Sequence, residues 1–208
     1  APHRDLLRSL AARGHSVHVV SRDLVRAGRT FRGLPLHYWQ APITHERAEV
    51  PYQPTISAAH ILHNVGFSSV TDVSLRIAAW RNLLATIRPD IVLADYCPTL
   101  LLALRGSGIR TATIGMGFCL PPQQSPLPAF STLSHMAQLD RLAEDESRLV
   151  ETINIALRQH HLPLIQSLAD VFYSAELHVL NTLKELDHYP NRGHVEYAGL
   201  PTEQPGTR

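Results

Sequence analysis

A chain of 208 residues can bury a hydrophobic core without disulfides or a structural metal. Its 19 basic and 18 acidic side chains nearly cancel, which argues against a nucleic-acid-binding surface and against a polybasic membrane patch. The two cysteines, Cys97 and Cys119, lack C-x-x-C spacing, so the sequence indicates neither a disulfide framework nor a zinc site.

Targeting signals are not visible in the sequence. No apolar run approaches the roughly 20 residues of a membrane span, and the first residues contain no signal-peptide pattern. We therefore expect a cytoplasmic protein with no stable membrane insertion, whose partners are small or neutral molecules.

The N-terminal residues alternate between helical and extended patterns. Apolar spacing predicts a helix over residues 2–14, and β-branched alternation predicts a strand over 16–21. Residues 22–32 are interpreted as a short helix or loop, and 34–39 as a further strand. Because a helix precedes the first of these strands, we expect a βαβ unit whose own first strand lies outside this sequence.

A proline-containing stretch over residues 40–57 predicts a long surface loop, since proline interrupts helices. Loops of this length inside a domain are commonly functional, so we interpret this one as a lid over a binding site. A short helix follows over 58–65. Five apolar residues at intervals of four and three then predict an amphipathic helix: Val73, Ile77, Trp80, Leu84 and Ile87.

The second half of the chain continues the alternation of strands and helices. We predict a strand over 90–95, a buried helix from Pro98, a strand over 110–115, a long helix over 133–160, a short helix over 164–172 and strands over 177–181 and 195–198. The acidic run Glu144–Glu146 is interpreted as a solvated helix face. This alternation predicts an α/β fold with a doubly wound parallel sheet.

Ligands bind open parallel sheets at the carboxyl ends of the strands, so residues at that edge are functional candidates. Asp95 ends one predicted strand, Gly115–Phe118 lie at the end of another, and Ser21 and Asn181 end two more. Asp95 could instead be the N-cap of the helix that begins at Pro98. Met116 and Phe118 could line an apolar pocket or belong to the core.

Other motifs are weaker. The glycines of Gly115–Met116–Gly117 lack the third glycine of a dinucleotide fingerprint, so close approach of the backbone to a bound molecule explains them better. His60 and His63 are spaced like metal ligands on a helix, but no third ligand accompanies them, which favours a loop or pocket role. His160 and His161 suit a helix C-terminus. The cysteines have no evident activating base, and no hydrolase elbow is present.

The order of several short stretches resembles the N-terminal half of bacterial glycosyltransferases, a group that includes macrolide glycosyltransferases and UDP-glucuronosyltransferases. These stretches are residues 88–99 (RPDIVLADYCPT), 115–118 (GMGF) with two prolines after it, 185–190 (ELDHYP) and 197–199 (YAG). The opening helix, which ends in RGHSV, is similar to the first helix of that family.

The resemblance implies a GT-B enzyme of two domains. Residues 1–200 would form a Rossmann-like acceptor-binding domain and 201–208 a linker toward a C-terminal donor domain. It implies metal-independent transfer of a hexose, with inversion, from a UDP- or dTDP-linked sugar to a hydroxyl of a small, largely apolar natural product. The nucleotide sugar is a co-substrate, and no cofactor is implied.

The resemblance also implies roles for single residues. Asp95 matches the acidic partner of a histidine base that lies upstream of residue 1, so this chain alone would not turn over. His3 falls inside the predicted helix and is a poor candidate for that base. The expected acceptor-binding residues are Tyr96, Gly115, Met116, Gly117 and Phe118.

Two rival hypotheses belong to other classes. The first is a non-catalytic α/β protein that binds a small molecule in the same pocket. The second is a nucleotide-cofactor oxidoreductase, which would require a glycine-rich phosphate-binding turn upstream.

Overall fold

A computed structural model describes residues 3–44, 47–130, 139–189 and 192–199. It is an α/β structure with parallel sheets and helices, as the sequence predicted. The chain divides into two compact units, of which the second comprises Thr44–Leu200. The predictions for Leu133, Met136, Pro190 and the tail 201–208 lie outside the described residues.

The described residues of the first unit form two helices and a two-stranded parallel sheet. Its elements are α1 (Arg4–Ala12), β1 (His18–Ser21), α2 (Leu24–Thr30) and β2 (His37–Gln40). The carboxylate of Asp23 caps α2 by accepting a hydrogen bond from the backbone N–H of Arg26 at 2.8 Å. The stretch that could have been helix or loop is therefore a helix. His3 occupies the N-cap position of α1.

The second unit contains the remaining elements. These are α3 (Ala58–Leu62), α4 (Val70–Ile87), β3 (Ile91–Ala94), α5 (Pro98–Leu104), β4 (Arg110–Gly115), α6 (Leu139–Gln159), α7 (Ala169–Phe172), β5 (Leu177–Leu180) and β6 (Glu196–Tyr197). A π-helical turn, His63–Phe67, follows α3 directly. This turn is kinked at Gly66, whose φ is +94°. The helix predicted over 164–172 is shorter than expected and begins at Ala169.

The sheet of the second unit has the strand order β3-β4-β5-β6, and every neighbouring pair is parallel. Ala94 pairs with Thr113, and Gly115 pairs with Leu180. The backbone N–H of Asn181 donates to the carbonyl of Gly115 at 2.8 Å. The carboxyl ends of β3, β4 and β5 therefore lie side by side at one edge.

The core of this unit is a layer of helices. In α4 the residues Val73, Ile77 and Trp80 are buried, which confirms the predicted amphipathic face. Every residue of α5 from Thr99 to Leu104 is buried, as expected for a helix that is apolar on all sides. The indole N–H of Trp80 donates to the hydroxyl of Thr99 at 3.1 Å, so this buried donor between α4 and α5 is satisfied.

The interpretation of the acidic run on α6 as a solvated face is wrong. The side chain of Glu144 is 72 % exposed, but Asp145 is 2 % exposed. Asp145 lies 3.1 Å from Nε2 of His60 and accepts a hydrogen bond from the hydroxyl of Tyr52 at 2.8 Å. A carboxylate can be buried when it is paired and hydrogen-bonded, and these two partners come from the loop and helix before α4.

Glu146 is buried for a similar reason, with 3 % of its surface exposed. Its carboxylate accepts hydrogen bonds from the hydroxyl of Ser125 at 2.9 Å and from the backbone N–H of Leu127 at 2.7 Å. Glu146 thus ties α6 to the loop that follows β4. No helix of the described residues is long and apolar enough to cross a membrane.

Candidate functional site

Asp95 lies where the sequence predicted it, directly after β3 at the carboxyl edge of the sheet. The side chain is exposed. A Cβ added at Gly115 would lie 3.2 Å from Oδ1 of Asp95, so the carboxylate lies over the end of β4 as well. The N-cap position of α5 belongs to Cys97, two residues beyond Asp95. Asp95 is therefore a charged group at the junction of two strand ends.

Tyr96, the residue after Asp95, has an unusual backbone conformation. Its φ is +39°, in the left-handed region that bulky side chains rarely occupy. Its ring stacks on Phe172 with 6.3 Å between the ring centroids. Burial, with smaller effects of Cys119 and Tyr189, raises the pKa of Tyr96 to about 12. The phenol is therefore neutral at physiological pH and able to donate a hydrogen bond.

A shallow apolar pocket lies between the ends of β3, β4 and β5. Its walls include Tyr96, Cys97, Gly115, Met116, Cys119 and Phe172. The cavity volume is about 20 Å³, which is room for about one water molecule. A larger ligand would therefore have to lie across the mouth of the pocket or displace its walls.

Three of the predicted acceptor-binding residues, Tyr96, Gly115 and Met116, line this pocket. Met116 is 67 % exposed and presents apolar surface at the pocket. Phe118 is 39 % exposed and does not belong to the pocket walls, and its ring packs against that of Phe130 in a tilted arrangement with the ring centroids 4.9 Å apart. Gly117 faces away from the pocket, toward the cluster described next.

A buried cluster around Asp187 was not predicted as a site. Nε of Arg192 donates to Oδ2 of Asp187 at 2.6 Å, and Nη2 donates to Oδ1 at 2.7 Å. The same Nη2 donates to the carbonyl of Gly117 at 2.6 Å, and the hydroxyl of Tyr197 donates to Oδ2 of Asp187 at 2.8 Å. The side chains of Arg192 and Asp187 are 1 % and 2 % exposed.

The electrostatics of this cluster favour the charged forms. Burial opposes ionisation of Asp187, but hydrogen bonds from Arg192, Tyr189 and Tyr197 outweigh it and hold the pKa of that carboxyl below its ordinary value. Burial likewise opposes the charge of Arg192, and its bonds to Asp187 outweigh burial and raise its pKa. The pair is therefore ionic at physiological pH.

The environment of Cys119, in the turn after β4, favours its neutral thiol. Burial raises its pKa, the carboxylate of Asp95 raises it further, and a backbone hydrogen bond at Met116 opposes both effects. A thiol is a weaker nucleophile than a thiolate, so this environment lowers the reactivity of Cys119, which is one of the walls of the pocket.

A second concavity, a polar groove of about 320 Å³, lies along α6. Its lining includes Ser125, Glu146 and Asn154. The side-chain amide of Asn154 donates to the carbonyl of Ile165 and accepts a hydrogen bond from its backbone N–H. The hydroxyl of Ser125 donates to the carboxylate of Glu146. Because these polar groups already have partners within the chain, we take the strand-end pocket as the candidate site although the groove is larger.

The sequence gives no indication of a role for Arg192. Asp187 and Tyr197 appear there only as members of the stretches that resemble bacterial glycosyltransferases. The signal that could have suggested the cluster is the pairing of Asp187 with an arginine five residues later in a stretch without helical periodicity. Ser21, the other predicted edge residue, ends β1 in the first unit and binds the backbone of Asp23.

Among the described residues, no group of three or more His, Cys, Asp or Glu side chains is arranged to hold a metal ion. No protein-family model matches the chain, and a search of curated proteins found no match.

Proposed function

We propose that this chain is the acceptor-binding part of an inverting, nucleotide-sugar-dependent glycosyltransferase of the GT-B type. In this proposal the parallel sheet belongs to a Rossmann-like, doubly wound domain, and the acceptor is a small, largely apolar molecule with a hydroxyl group. The observation that carries the proposal is the carboxylate of Asp95 over Gly115 at the end of β4, where the exposed apolar side chain of Met116 follows.

Asp95 acts in this proposal as a positioning residue for a histidine base contributed from outside these residues. A carboxylate that accepts the N–H of an imidazole fixes its tautomer and stabilises its positive charge. The imidazole takes the proton of the acceptor hydroxyl as the oxygen bonds to the anomeric carbon. The bond to the nucleoside diphosphate breaks, and the configuration at that carbon inverts. Side chains of a donor domain bind the leaving diphosphate without a metal.

The apolar mouth supplies the acceptor side of this mechanism. Met116 and Phe118 expose hydrophobic surface of the kind that binds an apolar ring. The neutral phenol of Tyr96 can donate a hydrogen bond to a polar group of the acceptor. The acceptor would lie across the mouth because the enclosed cavity is too small for it.

The test is Asp95→Asn in the complete enzyme, with Asp90→Asn as the matched control. Both residues are exposed, and Asp90 precedes β3 at the opposite end of the strand. We expect Asp95→Asn to leave folding and donor affinity unchanged and to lower kcat by roughly 10²–10⁴-fold, because only the orientation of the base is lost. Asp90→Asn should keep full turnover.

Unchanged turnover in Asp95→Asn would remove this residue from the mechanism. A complete protein that binds apolar phenols and transfers no sugar from any nucleotide donor would support the rival function, a non-catalytic small-molecule-binding protein.

A further inference from the structure

We infer that Asp187, Arg192 and Tyr197 form a latch on the turn after β4, and that Arg192 is a positioning residue for the apolar mouth. The assignment of that mouth to an acceptor rests on the proposed function. The latch itself rests on contacts between described residues only. It connects the segment around β6 with the 3₁₀ turn Gly117–Cys119.

The geometry of the latch is specific for arginine. The planar guanidinium presents two N–H groups to the two oxygens of Asp187 and also reaches the carbonyl of Gly117. An ammonium group lacks this fork and cannot make the three bonds together. The hydroxyl of Tyr197 occupies a further acceptor position on Asp187, so the carboxylate is bound from two sides.

The absence of a side chain at Gly117 leaves room for the latch. A Cβ added at this residue would lie 2.5 Å from Oδ1 of Asp187 and 3.3 Å from Nη2 of Arg192. The ring of Tyr189 lies under the guanidinium, with 5.1 Å from Cζ to the ring centroid. The turn can approach the ion pair this closely only because it has no side chain there.

Burying an ion pair contributes little net stability, because desolvation of the two charges offsets their attraction. Such pairs are better explained when they specify one arrangement of the chain. Here the ion pair specifies the position of the turn Gly117–Cys119 relative to the segment around β6. Strand β6 is only two residues long, so its backbone hydrogen bonds alone would hold that segment weakly. The turn carries Cys119 and follows Met116, and both residues are walls of the pocket.

The experiment measures how far Cys119 is exposed when the latch is weakened. The native chain is alkylated with iodoacetamide at mildly alkaline pH, where the thiolate that reacts is populated, and the labelling rates of Cys119 and Cys97 are determined separately by peptide mass spectrometry. The variants are Arg192→Lys and Tyr197→Phe. The control is Arg110→Lys, because Arg110 and its partner Glu176 are 75 % and 63 % exposed in a surface pair on the same sheet.

We expect Arg192→Lys to raise the labelling rate of Cys119 by about tenfold, as for the loss of one charged hydrogen bond, and to raise that of Cys97 much less. Tyr197→Phe should have a smaller effect in the same direction, and it keeps the test valid if Arg192→Lys does not fold. Arg110→Lys should change neither rate. A folded Arg192→Lys or Tyr197→Phe variant whose Cys119 rate equals that of the parent overturns the latch.

A second measurement separates the latch from the proposed function. The fluorescence of umbelliferone, a small phenol, is titrated with the parent chain and with Arg192→Lys, and we expect the variant to bind about fivefold to tenfold more weakly. Equal affinity together with a faster Cys119 rate overturns the positioning role. A faster Cys119 rate with no umbelliferone binding to either protein supports the latch and counts against the acceptor site.

Discussion

Gly117 shows how a single residue shapes the turn after β4, because a residue with a side chain would not fit at this position. Its φ is not in the left-handed region, so the glycine is not required by the backbone conformation. It is required by space, because Oδ1 of Asp187 occupies the volume that a Cβ would fill. The sequence predicted that the backbone at this glycine approaches a bound molecule, whereas the group that lies against Gly117 in the structure is the carboxylate of Asp187.

We expect Gly117→Ala to lower the free energy of unfolding by about 1–3 kcal/mol, because the added methyl group must displace the Asp187 carboxylate or the turn. Chemical denaturation measures the change. The matched control is Gly193→Ala, where nothing lies within 4 Å of the added Cβ and φ is not positive. Gly193→Ala should be neutral or stabilising by up to about 1 kcal/mol. Equal effects of the two substitutions would contradict the packing of Gly117 against Asp187.

Helix α6 shows what periodicity can and cannot reveal about an element. Its apolar stripe predicted the helix, and Leu149, Ile153 and Leu157 are buried as expected. The same pattern wrongly predicted a solvated acidic face, since two of the three acidic residues are buried. Helical spacing reports which residues share a face, but it does not report whether a histidine or a hydroxyl from another element meets that face.

We expect Asp145→Ala to lower the free energy of unfolding by about 3 kcal/mol or more, because His60 and Tyr52 lose a buried hydrogen-bond acceptor. Glu144→Ala, one residue earlier on the same helix, should change it by no more than about 0.5 kcal/mol, because that side chain is exposed. Thermal or urea unfolding of the two variants gives the comparison. If both cost the same, Asp145 is not buried in the network that the structure describes.

At the scale of the whole molecule, the parallel strand order β3-β4-β5-β6 collects chemically different groups at one edge. A carboxylate, a strained tyrosine and an apolar turn come together there because the strands run in the same direction and end at the same level. The latch then connects this edge to the last strand. In the proposed function, this edge meets the acceptor, and the donor is bound elsewhere.

That division of roles predicts the binding behaviour of the 208-residue chain by itself. We expect titration calorimetry to detect umbelliferone binding and to show a Kd weaker than about 1 mM for UDP-glucose and dTDP-glucose, because the proposal assigns the diphosphate site to another domain. The umbelliferone titration verifies that the preparation is competent. A micromolar Kd for either nucleotide sugar would mean that the donor site belongs to this chain.

The succession of helices and strands, the burial of α5 and the position of Asp95 at the end of β3 could be predicted from the residues alone. These features follow from local periodicity, prolines and glycines, which act between residues that are close along the chain. The burial of Asp145 and the hydrogen bond from Arg192 to Gly117 became visible in the folded chain and could not be predicted. The first contact joins residues 85 positions apart and the second joins residues 75 apart, and partners at such distances leave no repeating pattern in the sequence.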